Sequence, residues 1–404
     1  MIDFPYISNI CKSTNSKIVM LVADGLGGMH HPDYAATELE TAKIPNLDKL
    51  ASISSCGVST PVLPGLTPGS GPGHMGLFGY DPIKYLLGRG ILEGIGIDAP
   101  IEHGDVVARG NFCTLDEEMN ILDRRAGRIS NEQGVSLTNK LNSIVIDNVN
   151  VNVNVHHVMG YRFVLVFKGD GLSDLITDTD PQITGVNPLM SQAKSKNADK
   201  TANAVNEFVS KANALFKDDD GPANGLLLRG FSSLPSLPDF NSSYKLKSVA
   251  IASYPMYRGI ANLMGMDVIK GLNDFNEEIN ALRSNFNEYD FFFLHYKPAD
   301  SAGEDSNFEQ KVKALEDLDS YIEEILDINP NVLVVCGDHS TPSYMGSHSW
   351  HPVPFIIKSQ YSQPNSTGVF TELSCRNSEI GSIKAKELMF TVLAHAGKLN
   401  KFGP

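Results

Sequence analysis

Seven residues of types that hold hard metal ions lie in five short segments spread along this 404-residue chain: Asp24, Ser70, Asp300, Glu304, Asp338, His339 and His348. Carboxylates and imidazoles gathered in one place suit Mn2+, Mg2+, Co2+ or Zn2+, and a serine hydroxyl beside such an ion becomes a usable nucleophile. The chemistry would be metal-assisted, provided the fold brings distant segments together.

Three of the segments are introduced by short apolar runs. KIVMLVADG leads into Asp24, YDFFFLHYKPAD into Asp300, and NVLVVCGDH into Asp338 and His339. Runs of this length, closed by Gly, Pro or Asp, fit strands covered on both faces better than helices, which need a longer pattern of period 3.6. In open α/β sheets, sites form at the carboxyl ends of the strands. The seven residues are therefore expected along one edge of a sheet.

Each string also has a plain structural reading, and only their combination argues for a site. Asp24-Gly25 alone is a turn. Ser70 lies in LTPGSGPGHMG, where Gly69, Gly71 and Gly73 let backbone approach a ligand, but the same string reads as a Pro/Gly linker. Pro68 and Pro72 stand where a G-x-S-x-G elbow needs glycine, so a metal has to activate Ser70. Asp300 and Glu304 are four apart, which on a helical turn puts both carboxylates on one face. Asp338 and His339 would point to opposite faces of a flat strand, so both can bind only where the chain turns, at Gly337. In GSHSWHPVPF, beside the single Trp350, His348 is favoured as a ligand and His351 is left in a supporting role. LDRRAGRI carries Arg124, Arg125 and Arg128, a clamp for phosphate or carboxylate or else an exposed helix start paired with Asp123.

Composition narrows the partners. Lys and Arg number 33 against 47 Asp and Glu, a formal charge of -14, which disfavours nucleic acid or an anionic membrane. An anionic substrate would need a local basic pocket. Five scattered cysteines without CxxC spacing argue against a disulfide frame or a thiolate zinc site. MIDFPYISNICKSTNSK has no apolar core of signal-peptide length and no stretch is long enough to span a membrane, so a cytoplasmic setting is expected. Oligomeric state is not legible.

The alternating texture predicts an α/β core with a mostly parallel sheet flanked by helices and an inserted, smaller α+β domain. TAKIPNLDKLASISS, with Pro45 at a helix start, follows the first strand as a helix. From about residue 105 the pattern changes. DNVNVNVNV alternates with Val149, Val151, Val153 and Val155 on one face, and YRFVLVFKGDG is its expected partner. SQAKSKNADKTANAVNEFVSKANALF reads as a helix with Ala202, Val205, Phe208, Val209, Ala212 and Leu215 on one side, broken by KDDDGPANG. The core texture resumes near MGMDVIKG, and FEQKVKALEDLDSYIEEIL is the clearest amphipathic helix. The expected division is 1–104 with 266–404 as the metal-binding core and 105–265 as the insertion.

Taken in order, DGLGG, KIPNLDKLA, TPGSGPGHMGLFGYDP, GRG, LDRRAGRI, DTDP, the AGED segment, GDHSTP and HSWHPVPF resemble the cofactor-independent phosphoglycerate mutases of the archaeal type, over nearly the whole chain. That family belongs to the alkaline phosphatase superfamily, so the resemblance implies an alkaline-phosphatase-like core with two divalent metal ions and no need for 2,3-bisphosphoglycerate. It implies that Asp24, Ser70, Asp338 and His339 surround one ion, that Asp300, Glu304 and His348 surround the other, and that Ser70 is phosphorylated as 3-phosphoglycerate becomes 2-phosphoglycerate in glycolysis or gluconeogenesis. The substrate would enter between the domains and be gripped by Arg124, Arg125 and Arg128, with Arg109, Arg229 and Arg258 as further candidates. One departure stands out: the commoner pattern has His four residues after the Asp, where this chain has Glu304, and the harder ligand favours Mn2+ or Mg2+ over Co2+ or Zn2+. The loop after Ser70 also reads GPGH instead of a more polar string, which makes His74 a candidate active-site residue. The competing readings are a metal-dependent phosphomonoesterase or phosphotransferase acting on another small substrate, and a non-catalytic binding protein.

Overall fold

The structure is a computed structural model that describes residues 2–147, 150–216, 221–364 and 368–403. Thirteen strands occur among the described residues. Two precede the insertion, β1 (Ile18–Ala23) and β2 (Ser55–Thr60). Five lie within it: β3 (Val106–Leu115), β4 (Ile121–Asp123), β5 (Asn152–Met159), β6 (Arg162–Lys168) and β7 (Gly225–Ser233). Six follow: β8 (Ser248–Ile251), β9 (Asp267–Ile269), β10 (Phe291–Tyr296), β11 (Val332–Cys336), β12 (Val353–Lys358) and β13 (Gly381–Lys384).

The chain forms two compact units, Met1–Leu86 with Leu237–Pro404, and Leu87–Ser236. Both boundaries fall earlier than the change of texture at 105 and 265. At the first, the helix Arg89–Ile95 belongs with the smaller sheet, because Gly90 lets it lie so close to β3 that a Cβ there would be 2.2 Å from the Val107 carbonyl. The Ile91 N–H also donates to Ser232 Oγ at 3.1 Å. At the second, β8 pairs in parallel with β10 and β9, so Ser248–Ile251 joins the larger sheet and 237–265 belongs to the larger unit. Short elements at a boundary take their allegiance from pairing partners far away in sequence, which a local pattern cannot supply.

The larger sheet has the order β13-β2-β12-β11-β1-β10-β8-β9. β12 runs antiparallel to both neighbours, and every other pairing in the sheet is parallel. Every residue of β1, β10 and β11 is buried, as expected for strands covered on both faces. Val19, Leu21, Leu294, Leu333 and Val335 share a core with Leu315, Leu318, Ile322 and Ile325 of the helix Phe308–Asp327, which matches the amphipathic run in the sequence. The helix Pro45–Ser52 follows β1 with Pro45 at its first turn.

In the smaller unit the order is β4-β3-β6-β5, with β7 also paired to β3, from Val106 to Cys113. β5 and β6 form the expected antiparallel pair, and Val151, Val153 and Val155 are buried on one side; Val149 lies outside the described residues. The helix Asp199–Phe216 covers that side with Ala202, Val205, Phe208 and Ala212, joined by Phe216. Leu215 is exposed instead, since the helical period carries it past the apolar stripe and Phe216 takes its place. Among the described residues no helix is long and apolar enough to cross a membrane, and all five cysteines are buried and outside disulfides.

Candidate metal centre

The sheet topology explains how five segments reach one edge. Asp24 directly follows β1, Asp300 lies in the helix Pro298–Glu304 after β10, and Asp338 and His339 follow β11, all at the carboxyl ends of adjacent parallel strands. Ser70 opens the helix Ser70–Leu77 after β2, which runs in the same direction. His348 precedes β12, and because that strand is antiparallel its start lies at the same edge. A strand-end signal in the sequence could not have located His348.

Asp24, Asp300, Asp338 and His339 are completely or almost completely buried. Ligand atoms of Asp24, Asp338 and His339 lie within 4.8 Å of one another, and so do those of Asp300, His339 and His348. His339 Nε2 is 3.3 Å from Asp24 Oδ1, 3.2 Å from Asp338 Oδ2 and 3.4 Å from Ser70 Oγ. Its ring stacks on His348, with centroids 3.6 Å apart. On its other side, His339 Nδ1 meets Thr341 Oγ1 at 2.9 Å, and that hydroxyl donates to Asp300 Oδ1 at 2.7 Å. A carboxylate can only accept, so the Thr341 proton goes to Asp300 and its oxygen accepts from Nδ1–H. The Nε2 lone pair is thereby left pointing at Asp24, Asp338 and Ser70.

His348 Nε2 lies 3.6 Å from Asp300 Oδ1 and 3.4 Å from Glu304 Oε1, with its Nδ1 at 3.0 Å from the Pro68 carbonyl. Glu304 shares the helix with Asp300 but its side chain is 53% exposed, and it is not among the closely spaced ligand atoms. His351 is apart from them as well, stacked on Trp350 and bonded to Ser349 Oγ at 3.0 Å.

The electrostatics fit a cation. Asp24 Oδ1 and Asp338 Oδ2 are buried and have no hydrogen-bond partner among the described residues. Burial alone would raise Asp24, but the bond from His295 and the charges of His339 and Lys297 outweigh it and hold the carboxyl well below its usual range. Burial and the charge of Asp24 raise Asp338, and His339 and His74 overcome them, so it too is lowered. Burial outweighs the charges of Asp338 and Asp24 and lowers His339, the direction that favours the neutral imidazole a ligand requires. Two anionic oxygens and an imidazole lone pair thus converge with no hydrogen between them, an arrangement that a divalent ion resolves.

The smaller unit carries a second charged feature. Phe163, Leu165 and Phe167 of β6 and Leu226 and Leu228 of β7 point into its core. By strand alternation Arg162 and Arg229 lie on the opposite face. Arg109 pairs directly with Arg229, and Asn111 with Arg162. The Nε atoms of Arg109, Arg162 and Arg229 and Asn111 Oδ1 are buried without hydrogen-bond partners among the described residues. Burial pulls the Arg109 guanidinium below its ordinary value; Glu93, 3.7 Å away, works against this and the charges of Arg229, Arg162 and Arg89 work with it. Glu93 and Asp180, the latter 3.9 Å from Arg229 Nε, offset only part of this charge, so the face can take a further anion. Arg124 is instead tied to Asp180 by two bonds, at 2.7 and 3.1 Å, while Arg125 and Arg128 are exposed.

Comparison with known proteins decides the family. A Thermus thermophilus protein described as a probable 2,3-bisphosphoglycerate-independent phosphoglycerate mutase is 45% identical over 403 residues, covering 99% of both chains. The chain belongs to the 2,3-bisphosphoglycerate-independent phosphoglycerate mutase family. A Thermotoga maritima protein of the same description is 46% identical over 398 residues, 98% of each chain, and the model of this phosphoglycerate mutase family matches residues 51–221. Among solved structures, the cofactor-independent phosphoglycerate mutase of Thermoplasma acidophilum superposes with a TM-score of 0.73 at 27% identity, covering 94% of this chain and all of that one. A Pyrococcus horikoshii protein gives a TM-score of 0.81 at 26% identity, covering 97% and 100%.

Several side chains of this phosphoglycerate mutase family member that line the centre have no motif in the sequence to announce them. Lys297 Nζ bridges Asp24 Oδ2 at 3.1 Å and Asp300 Oδ2 at 2.5 Å. Burial would lower this amine, but the charges of Asp24 and Asp300 win and raise it. Tyr257 OH donates to Asp24 Oδ2 at 2.5 Å and stacks on His295, itself 3.1 Å from the same oxygen. A lysine three residues before Asp300, just past an apolar run, was the one available signal. His74 is fully buried, with Nδ1 at 2.9 Å from the Ser70 carbonyl and 3.1 Å from Asp338 Oδ2. Gly73 permits this approach, since a Cβ there would sit 2.5 Å from the Asp338 carbonyl. Arg258 lies outside the smaller unit, in the helix Pro255–Leu263, and its guanidinium holds the Ala252 and Ser253 carbonyls at 3.1 and 2.5 Å. Its Nη1 is thus taken up as a loop tie, while its Nε, like those of Arg109, Arg162 and Arg229, is buried without a hydrogen-bond partner among the described residues.

Glu304→His tests the role of the departing ligand. The variant, reconstituted with single metals, is expected to gain activity with Zn2+ or Co2+ relative to Mn2+, because a carboxylate has been exchanged for a softer imidazole. An unchanged metal ranking would remove Glu304 from the site.

Proposed function

We propose that this chain interconverts 3-phosphoglycerate and 2-phosphoglycerate, a step of glycolysis and gluconeogenesis, by passing the phosphoryl group through Ser70. The observation that carries this reading is the convergence of Ser70 Oγ, Asp24 Oδ1 and Asp338 Oδ2 on His339 Nε2 within 3.2–3.4 Å. Asp24, Ser70, Asp338 and His339 would hold one divalent ion, and Asp300, Glu304 and His348 the other, with His339 close enough to both sets to couple them. Mn2+ and Mg2+ fit the carboxylate-rich set best. When bound, the ions lower the pKa of the hydroxyl and neutralise phosphoryl charge.

The protein's own groups do the rest. Ser70 stands at the first position of its helix, whose unpaired N–H groups favour an anionic phosphoryl group there. The Ser70 Oγ–P bond forms as the bond from phosphorus to the C3 oxygen breaks, and the serine proton passes to the departing oxygen. The reverse step at the C2 oxygen regenerates Ser70 and yields 2-phosphoglycerate. Thr341 fixes His339, and Lys297 sets a positive charge beside Asp24 and Asp300. Arg109, Arg162 and Arg229 supply the basic surface that an anionic substrate needs in an acidic chain. Five buried cysteines outside disulfides fit a cytoplasmic setting.

A coupled assay of 3-phosphoglycerate conversion without 2,3-bisphosphoglycerate, with inorganic phosphate followed in parallel, tests the reading. Formation of 2-phosphoglycerate with little free phosphate is expected; phosphate release without isomerisation would make the enzyme a phosphatase instead. Arg162→Met and Arg229→Met are each expected to raise KM by roughly 10- to 100-fold, the loss of a charged hydrogen bond, with a smaller change in kcat. Unaltered KM in both would move substrate binding elsewhere.

A further inference from the structure

Lys311, in the helix Phe308–Asp327, is fully buried and has no part in the steps above. A buried ammonium is costly unless its N–H groups are taken up. Here Nζ donates to the Gly27 carbonyl at 2.9 Å and the Thr341 carbonyl at 2.8 Å. Those carbonyls belong to the two loops that carry Asp24 and Asp338–His339. The same loops are joined by the Thr341 N–H, which donates to the Gly27 carbonyl at 3.1 Å.

The surroundings leave these loops little slack. A Cβ on Gly303 would lie 2.2 Å from the Thr341 carbonyl, and one on Gly25 would lie 2.7 Å from the Asp300 Cα. Glu38, buried, faces the ammonium with Oε2 at 3.9 Å. Its Oε1 accepts from the N–H and hydroxyl of Ser343, at 2.8 and 2.6 Å, tying down the far end of the second loop. Thr341 in turn holds both His339 and Asp300 through its hydroxyl. One amine therefore links loops whose own side chains contribute three of the closely spaced ligand atoms and orient a fourth.

We propose that Lys311 is a positioning residue for the metal centre: it clamps the Gly27 and Thr341 carbonyls together, so that Asp24 and His339 keep their spacing before an ion arrives. This rests on the reading of the cluster as a metal centre. Holding ligands in place in advance strengthens metal binding, and outer partners of this kind change metal affinity more than the chemical step once the metal is bound.

The test is a Mn2+ titration of the full-length, metal-stripped protein, with free Mn2+ read by its paramagnetic resonance signal. Lys311→Met/Glu38→Gln removes the clamp without stranding a buried carboxylate charge, and Glu38→Gln alone keeps the clamp. The double variant is expected to bind Mn2+ roughly 10- to 100-fold more weakly, with kcat recovering at saturating Mn2+, while Glu38→Gln stays close to wild type. Wild-type affinity in the folded double variant, or an equal loss in Glu38→Gln, overturns the clamp. Should the double variant not fold, Lys311→Gln is titrated in its place, and wild-type affinity there overturns the proposal too. A wild-type protein that binds no Mn2+ would instead overturn the metal reading beneath it, which separates the two failures.

Discussion

Replacing Ser70 with alanine is expected to lower phosphoglycerate conversion by roughly four to six orders of magnitude, the scale seen when a covalent nucleophile is deleted. The fold should survive. The hydroxyl reaches His339 Nε2 only at 3.4 Å, the long limit of a hydrogen bond, and the residue is partly exposed at the start of a helix, where alanine is well tolerated. Steady-state rates and the thermal midpoint of the same preparation check the two halves together. Normal turnover in a folded Ser70→Ala protein would exclude phosphoryl transfer through this serine and leave direct transfer between the glycerate oxygens.

Removing divalent ions is expected to be nearly as severe, and it should be visible in stability as well as in activity. Asp24, Asp300 and Asp338 are buried together, and among the described residues Lys297 is the one ammonium in ion-pair reach of two of them. Without an ion, Asp24 Oδ1 and Asp338 Oδ2 have no hydrogen-bond partner among the described residues, although imidazole nitrogens stand near both. Mn2+ at a hundred times its dissociation constant should stabilise the larger unit by about 2.7 kcal/mol, which for a domain of this size moves the unfolding midpoint by roughly 5–10 °C. Calorimetry of stripped and Mn2+-loaded protein, with the coupled assay on the same samples, provides the measurement. If none of Mn2+, Mg2+, Co2+ or Zn2+ shifts the midpoint or restores turnover, the cluster is a hydrogen-bonded core feature and not a metal centre.

Much of the fold was legible because its signals are local. An all-apolar run closed by Asp or Gly is a buried strand with a polar end, and this placed β1, β10 and β11 and the groups that follow them. The helix Phe308–Asp327 was equally plain from its period. The domain boundaries were not. The helix Arg89–Ile95 and strand β8 are too short to declare which sheet they join, and only their packing and pairing assign them. Among the arginines, LDRRAGRI drew attention by its density. The structure instead brings Arg162 together with Arg109 and Arg229, two of the further candidates, which are scattered in sequence and adjacent only through strand register.

Residue type and the apolar runs before them are enough to mark the side chains that stand ready at strand ends, Asp24, Asp300, Asp338 and His339. How they act together depends on long-range packing. The antiparallel direction of β12 brings His348 to the common edge, Thr341 sets the His339 tautomer, and Lys297 and Lys311 tie together groups from separate segments. The physical reason is range. Strand propensity and chain polarity are properties of neighbouring residues, whereas pairing direction, register and the hydrogen bonds of a buried side chain depend on partners up to hundreds of positions away.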